Sequence, residues 1–386
     1  MNTYGTPAVT MIKGEGAFLT DSEGRRYLDA LSGIAVCGLG YSHPAVTQAL
    51  SEQAATLIHC SNLYGIEPQQ KLGAALRDIS GMDKVFFSNS GAEANEAAIK
   101  IARKFGQDKG ITAPQVICTQ RSFHGRTMAT LSATGNSKIQ TGFAPLVSGF
   151  VHVGYDSIEA IEAAANEHTV AVMVEPIQGE GGVRVPSDTY LNALRSLCDS
   201  KGWLLILDEI QTGNGRTGRY FAYQQAGILP DVVTTAKGLG NGVPIGACLA
   251  KGQAANVLQP GNHGSTFGGN PLATATALAV VSELRKPELL ENAANQGERI
   301  LGLLKQELAS CAGVTDIRGR GLMIGVELDR DCGELVAQAR EAGLLINVTA
   351  GNVVRLLPPL TITDDEATHI ADTVTRLIKA FLSQAR

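Results

Sequence analysis

The sequence predicts an α/β protein, with a large domain on a mainly parallel sheet flanked by helices and a smaller α+β domain attached. Three observations carry this expectation. Between residues 84 and 250, apolar runs of strand length alternate with helical patterns, the order that gives a parallel sheet covered on both faces. Several of those runs end in polar, glycine-rich segments, and ligands of open α/β sheets sit beyond the carboxyl ends of parallel strands. From Pro271 onward the character changes to long helices separated by short strands. The expected division is 46–272 for the large domain. Residues 1–45 and 273–386 form the small one, since the N-terminal hairpin has no partner strands nearby in the chain.

Taken in order, Gly16–Asp21 and Gly24–Asp29 read as a hairpin closed by Asp21-Ser-Glu-Gly24. Pro44 opens a helix through Ala54 or beyond, because proline suits a first helical turn, and His43 before it reads as a turn or capping residue. In His59-Cys-Ser-Asn-Leu-Tyr64 the aromatic reads as core before it reads as a pocket wall. A helix follows from Glu67 towards Ile79, stopped by Gly81. Val85–Ser88 is a strand that turns into a helix running to about Phe105. Ser90-x-x-Glu93 at that turn is a capping box. Strands follow at Gln115–Gln120 and Val170–Val174, and residues 188–201 form an amphipathic helix. Beyond Pro271 come a helix to about Arg285, a helix Glu288–Leu308, strands near Val314–Arg318 and Met323–Leu328, a helix Cys332–Ala342, further strands and a last helix Asp364–Leu382.

Composition removes several function classes. With 44% apolar and 18% charged residues the chain is globular, not disordered. A formal net charge of −5 and the lack of a Lys/Arg cluster argue against nucleic-acid binding. The seven cysteines are scattered without a C-x-x-C pair, so neither zinc nor a disulfide framework is expected and the thiols are read as reduced. No metal site is expected. The N-terminus lacks the apolar stretch of a signal peptide, and no apolar run is long enough to span a membrane. A soluble cytoplasmic protein without membrane contact is the expectation.

The chemistry concentrates between Trp203 and Gly242. The run Leu204–Leu207 delivers Asp208, Glu209 and Gln211, and the run Asp231–Thr235 delivers Lys237 into a glycine-rich segment. A lysine and a carboxylate at two strand ends is how a pyridoxal phosphate site is built. A solvated lysine and a turn-forming Asp-Glu stand beside that reading. Other strand ends add to it. Gly91 and Ala92 leave free amides at a helix N-terminus, where a phosphate can sit, although the capping box alone accounts for the residues. Phe123 can stack on a flat ring and Arg126 can bind a carboxylate bidentately; each taken alone is as well explained as structural. A dinucleotide-binding oxidoreductase is the rival from another class. Gly238-Leu-Gly240-Asn-Gly242 lacks the G-x-G-x-x-G spacing and a following helix. A non-catalytic binding protein has no need of the lysine–aspartate pair.

Seven segments in order, SNSGAEANEAA, SFHGRT, EPIQGEGGV, ILDEIQTGNGRTG, TTAKGLGNGVPIGA, HGSTFGGNP and VRLLPPL, make the whole chain resemble the class III (subgroup II) pyridoxal phosphate aminotransferases of fold type I. The resemblance implies a seven-stranded sheet in the large domain and a homodimer with active sites at the subunit interface. It implies that Lys237 is the Schiff-base lysine and proton shuttle, that Asp208 pairs with the pyridine nitrogen, and that Gln211 bonds the ring hydroxyl. Phe123 would stack on the ring, and Ser90, Gly91 and Ala92 would hold the phosphate. Thr266, beside Ser265, would reach the phosphate of the neighbouring subunit. Arg355 would clamp the α-carboxylate of glutamate and Arg126 its distal carboxylate, while Glu180 would neutralise Arg355 when the donor presents a terminal amine.

Within the family, DEIQTGNGRTG and SNLY are similar to members that move the terminal amino group of N2-acetyl-L-ornithine to 2-oxoglutarate, a step of arginine biosynthesis. Tyr64, Ile34 and Ser265 join the expected substrate contacts. Ile34 stands where members acting on free ornithine carry a tyrosine that contacts the α-amino group, and an apolar residue there suits an acylated amine. Ornithine, N-succinylornithine, succinyl-diaminopimelate and 4-aminobutyrate remain the competing donors, and an aminomutase the competing reaction.

Overall fold

The computed structural model describes residues 1–383. Its centre is a seven-stranded sheet in the order Lys84–Ser88, Gly246–Ala250, Val232–Thr235, Leu204–Asp208, Thr169–Val174, Gln115–Thr119, Phe150–Val153. Gly246–Ala250 alone runs antiparallel to its neighbours; pairings without it are parallel. Because side chains alternate along a strand, each interior strand feeds two cores. Leu204 and Ile206 pack with Ala97, Ala98 and Ile101 of the helix Gly91–Asp108. Leu205 and Leu207 pack on the other face with Tyr190 and Leu194 of the helix Tyr190–Lys201. That two-sided burial explains why these strands read as continuous apolar runs.

Alternation also aims the chemistry. Asp208 follows Leu204 and Ile206 at even spacing, so its side chain points to the face covered by helix Gly91–Asp108. The carboxyl ends of Lys84–Ser88, Gln115–Thr119, Thr169–Val174, Leu204–Asp208 and Val232–Thr235 all lead into the polar segments singled out in the sequence, and these converge on one crevice.

The N-terminal hairpin, Phe18–Asp21 with Arg26–Asp29, gains a third strand, Met11–Glu15. Arg26–Asp29 pairs in parallel with Leu344–Leu345 near the far end of the chain. A second, antiparallel sheet has the order Val314–Arg320, Met323–Leu328, Val353–Leu356, Asn347–Thr349. Helices Pro287–Leu308 and Asp364–Ser383 pack together beside it through Ile300, Leu304, Ile370 and Val374. Element boundaries depart from expectation by a few residues: the first of the two long C-terminal helices starts at Pro287, and the one expected from Cys332 begins at Leu335.

Arg216, in the turn after Leu204–Asp208, ties three parts of the chain together. Its Nη1 donates to the carbonyls of Leu322 (3.0 Å) and Pro358, and its Nη2 to Ser32 Oγ (3.3 Å). Ser32 Oγ donates in turn to Leu357 O at 2.6 Å. Burial pushes the guanidinium down to about 9, with only the Asp29 charge opposing. Arg216→Met leaves buried carbonyls without donors, each costing about 1–3 kcal/mol. The expected loss is about 2–4 kcal/mol, read as a lowered denaturation midpoint; an unchanged midpoint would remove Arg216 from this role.

Candidate active site

The floor of the crevice is a buried polar network around Asp208. Asn95 Nδ2 donates to Asp208 Oδ2 at 2.8 Å and also to the carbonyl of His124 at 2.8 Å. Thr234 Oγ1, one strand over, donates to Asn95 Oδ1 at 2.7 Å and so fixes the amide orientation. His124 Nδ1 lies 2.8 Å from Asp208 Oδ2. A carboxylate only accepts, so Nδ1 carries the proton. Burial opposes the imidazolium form of His124, but the hydrogen bond and charge of Asp208, with Glu175, raise its pKa above the ordinary value. Its Nε2 is buried without a partner among the described residues. Glu175, buried beside it, is pushed up to about 7 by burial, although the His124 charge and the amides of Phe123 and Gly179 favour its ionised form.

The wall opposite Asp208 is the N-terminus of helix Gly91–Asp108. The Ser90 side chain caps it by accepting the Glu93 amide at 3.2 Å. Glu93 reaches back one residue further than a simple capping box, taking the backbone and side-chain N–H of Asn89 at 2.7 and 2.8 Å. By position, Gly91 and Ala92 have no helical acceptor one turn back, and both line the cavity. The turn is pressed against strand Gly246–Ala250: a Cβ on Gly246 would lie 2.2 Å from Ser90 O. Backbone cannot yield cheaply, so Gly246→Ala is expected to destabilise by about 1–3 kcal/mol and to weaken binding of a phosphorylated ligand about tenfold. Equilibrium titration with the ligand checks this, and unaltered affinity would show that the turn has room to shift.

Lys237 sits half-buried just past strand Val232–Thr235 with a positive φ of 42°. Burial lowers its pKa; Glu180 and Asp208 pull the other way, and Arg355 adds to the lowering. Arg355, fully buried on strand Val353–Leu356, donates through Nη1 to Glu180 Oε1 at 2.6 Å and to Gln211 Oε1 at 3.3 Å. Its Nε donates to Asn347 Oδ1 at 3.1 Å, while Nη2 is buried with no acceptor among the described residues. Burial raises the Glu180 pKa but the Arg355 charge and hydrogen bond outweigh it, so the carboxyl titrates below its ordinary value.

Ser90, Gly91, Ala92, Phe123, Arg126, Glu180, Asp208, Gln211 and Lys237 thus share one cavity of about 370 Å³, and Arg355 touches it through Glu180 and Gln211. Arg126 is exposed, its guanidinium 5.6 Å from the Phe123 ring centre. Ile34, in a turn with positive φ, lines an adjoining outer recess. Tyr64, Ser265 and Thr266 line neither. The core reading of Tyr64 is corrected: the residue is 70% exposed, in a loop that also exposes Leu63 and is held by Asn62, which donates to the Gly268 carbonyl at 2.9 Å. Ser265 Oγ instead caps its own loop, accepting Gly268 N at 2.9 Å and Asn89 Nδ2 at 3.2 Å. His43 occupies the position expected, at the start of helix Pro44–Thr56, yet its side chain makes no cap. Three residues of the network around Asp208 escaped the sequence reading: Asn95, His124 and Glu175. Asn95 carried a signal, an amide on the otherwise apolar face of an Ala-rich helix.

The donor set suits pyridoxal phosphate. Helix amides suit its phosphate, Asp208 its pyridine nitrogen and Lys237 its aldehyde, and the orphaned Arg355 Nη2 is a donor waiting for a carboxylate. A lysine and a network-held aspartate at adjacent parallel strand ends fit a pyridoxal phosphate enzyme. The sequence profile of Aminotransferase class-III matches residues 2–380, and the chain belongs to that pyridoxal phosphate-dependent family. It is 54% identical over 384 residues to the acetylornithine aminotransferase of Nitrosomonas europaea, covering 99% of this chain and 98% of that one. Its fold matches an ornithine aminotransferase of Toxoplasma gondii with partial occupancy of PLP at the active site (TM-score 0.94, 38% identity, 98% and 92% coverage). It also matches an N-acetylornithine aminotransferase of Stenotrophomonas maltophilia (TM-score 0.85, 36% identity, 98% of each chain).

Proposed function

We propose that this chain transfers the terminal amino group of N2-acetyl-L-ornithine to 2-oxoglutarate, giving N-acetyl-L-glutamate 5-semialdehyde and L-glutamate. The observation that carries this reading is the Glu180–Arg355 pair at 2.6 Å beside Lys237. One pocket must accept glutamate, which brings a carboxylate next to the reacting amine, and a donor whose reacting amine ends a methylene chain. An arginine that a glutamate can cover or release serves both. The relative in Nitrosomonas europaea supports acetylornithine as the donor, and the apolar Ile34 in the outer recess fits an acylated amine.

In this reading Asp208, held by Asn95 and His124, would pair with the pyridine nitrogen and Gln211 with the ring hydroxyl. Phe123 would stack on the ring, and the amides of Gly91 and Ala92, with Ser90, would hold the phosphate. When bound, pyridoxal phosphate supplies the electron sink that lets an amino group leave one carbon and join another. The Lys237 amine, kept more neutral by burial, removes the proton from the substrate carbon at its Nζ and returns it as general acid. Arg126 holds the far carboxylate, and Arg355 the near one once Glu180 has swung away.

The reading extends to a cytoplasmic homodimer in which Thr266, Ser265 and Tyr64 of one subunit approach the site of the other. Within a subunit, the substrate lies between a unit of residues 46–272 and one of 1–45 with 273–386. The exposed Leu57, Ile58, Tyr64 and Phe267 supply apolar surface for such a contact. No described helix is long and apolar enough to cross a membrane. The test is glutamate formation from 2-oxoglutarate with N-acetylornithine, ornithine and 4-aminobutyrate compared at limiting concentration. A kcat/KM highest for N-acetylornithine is expected; a higher value for either rival would keep the chemistry and move the substrate.

A further inference from the structure

Outside the inner cavity lies a recess of about 1090 Å³ that shares Phe123, Arg126, Glu180 and Lys237 with it and therefore opens onto the reacting lysine. Its charges are unbalanced. The carboxylates on its wall are Glu180 and Glu327, and both are already engaged: Glu180 by Arg355 at 2.6 Å and Glu327 by Arg318 at 2.6 Å. Arg121, Lys138 and Arg184 also line it, and among the described residues their side chains have no hydrogen-bond or ion-pair partner. They come from three separate segments: the loop after strand Gln115–Thr119, the short helix Ser137–Gln140 and the stretch after Glu180. With Arg126 they surround the approach to Lys237 on a protein whose overall net charge is −5.

We propose that Arg121, Lys138 and Arg184 form a cationic antechamber that captures the dianionic amino acceptor, 2-oxoglutarate, and hands it inward to Arg126 and Arg355. The inference rests on the proposed transamination for the identity of the acceptor. The two substrates differ in the property such a chamber reads. 2-Oxoglutarate carries two negative charges, whereas N-acetylornithine carries one carboxylate and one ammonium and has no net charge. A cleft lined by one sign of charge raises the capture rate of opposite charges, by about tenfold to 10³-fold, and the effect falls steeply with ionic strength. Exposed charges more than about 8 Å apart are largely screened at physiological salt. The antechamber therefore separates the substrates by the salt dependence of their kcat/KM and leaves kcat at saturation alone.

The experiment measures kcat/KM for each substrate from about 10 mM to about 300 mM salt, in the unaltered holoenzyme and in R121Q/K138Q/R184Q. For the unaltered enzyme, kcat/KM for 2-oxoglutarate is expected to fall about tenfold over this range, while that for the amino donor changes less than about twofold. In the triple variant the low-salt value for 2-oxoglutarate drops towards the high-salt one, the salt dependence flattens, and kcat is unchanged. The single variants each give part of the loss, which guards against a misfolded triple variant. A salt dependence equal for both substrates in the unaltered enzyme overturns the proposal, as does one that persists in a folded triple variant. The acceptor arm is run with whichever donor supports turnover, so failure of N-acetylornithine as donor overturns the assigned reaction without touching this measurement.

Discussion

Lys237→Ala is expected to lower kcat by at least about 10³-fold while pyridoxal phosphate still binds measurably. The size of the effect follows from the absence of a substitute base. Glu180 is held by Arg355, and Asp208 accepts from Asn95 and His124. Glu175 is occupied by the Phe123 and Gly179 amides. Neither Asp208 nor Glu175 can move to the lysine's place without leaving a buried donor unpaired, and with a terminal-amine donor Glu180 stays on Arg355. The phosphate and ring contacts are made by other residues, so cofactor affinity weakens without vanishing. Turnover in the variant, cofactor affinity by equilibrium dialysis, and partial recovery of rate with a small added amine together check the prediction. Sustained multiple turnover without added amine would refute the role given to Lys237.

The strand ends that carry this chemistry were legible because they are local. Leu204–Asp208 and Val232–Thr235 are short apolar runs that stop at polar residues, and the helix from Gly91 announces itself through Ser90 and Glu93. Strand Gly246–Ala250 was harder to read, since GACLA has no β-branched residue and reverses direction against its neighbours. Phe150–Val153 is a four-residue edge strand, and Met11–Glu15 is largely polar. The same distinction divides the site. Lys237 and Asp208 can be named from the segments that hold them. The support of Asp208 depends on contacts across 113 residues to Asn95 and 84 to His124, and no spacing rule reaches that far. Arg216 is the extreme case: its partners Ser32, Leu322 and Pro358 lie in segments joined only by the fold. Tyr64 errs in the opposite direction, since an aromatic next to Leu63 reads as core, whereas the protomer leaves both exposed.

Glu180→Ala is expected to divide the two half-reactions. With Glu180 present, a donor that brings an ammonium-bearing chain leaves the Arg355 charge covered, and glutamate displaces the cover with its own carboxylate. Removing Glu180 strips a fully buried guanidinium of the one carboxylate partner it has among the described residues. Breaking such a pair costs about 3–5 kcal/mol. The lower end applies, because the Glu180 side chain keeps 36% of its surface exposed and water softens the loss. The terminal-amine half-reaction is therefore expected to slow about 10²-fold. The glutamate half-reaction should change at most about tenfold, since glutamate restores the missing charge itself. Glu180→Gln, which keeps a hydrogen-bond acceptor for Arg355 without the charge, should fall between the two. Each half-reaction can be followed separately by mixing the enzyme with one donor at a time. An equal loss in both would mean that Glu180 serves only to hold Arg355 in place, and the accommodation of two unlike donors would then have to come from elsewhere in the pocket.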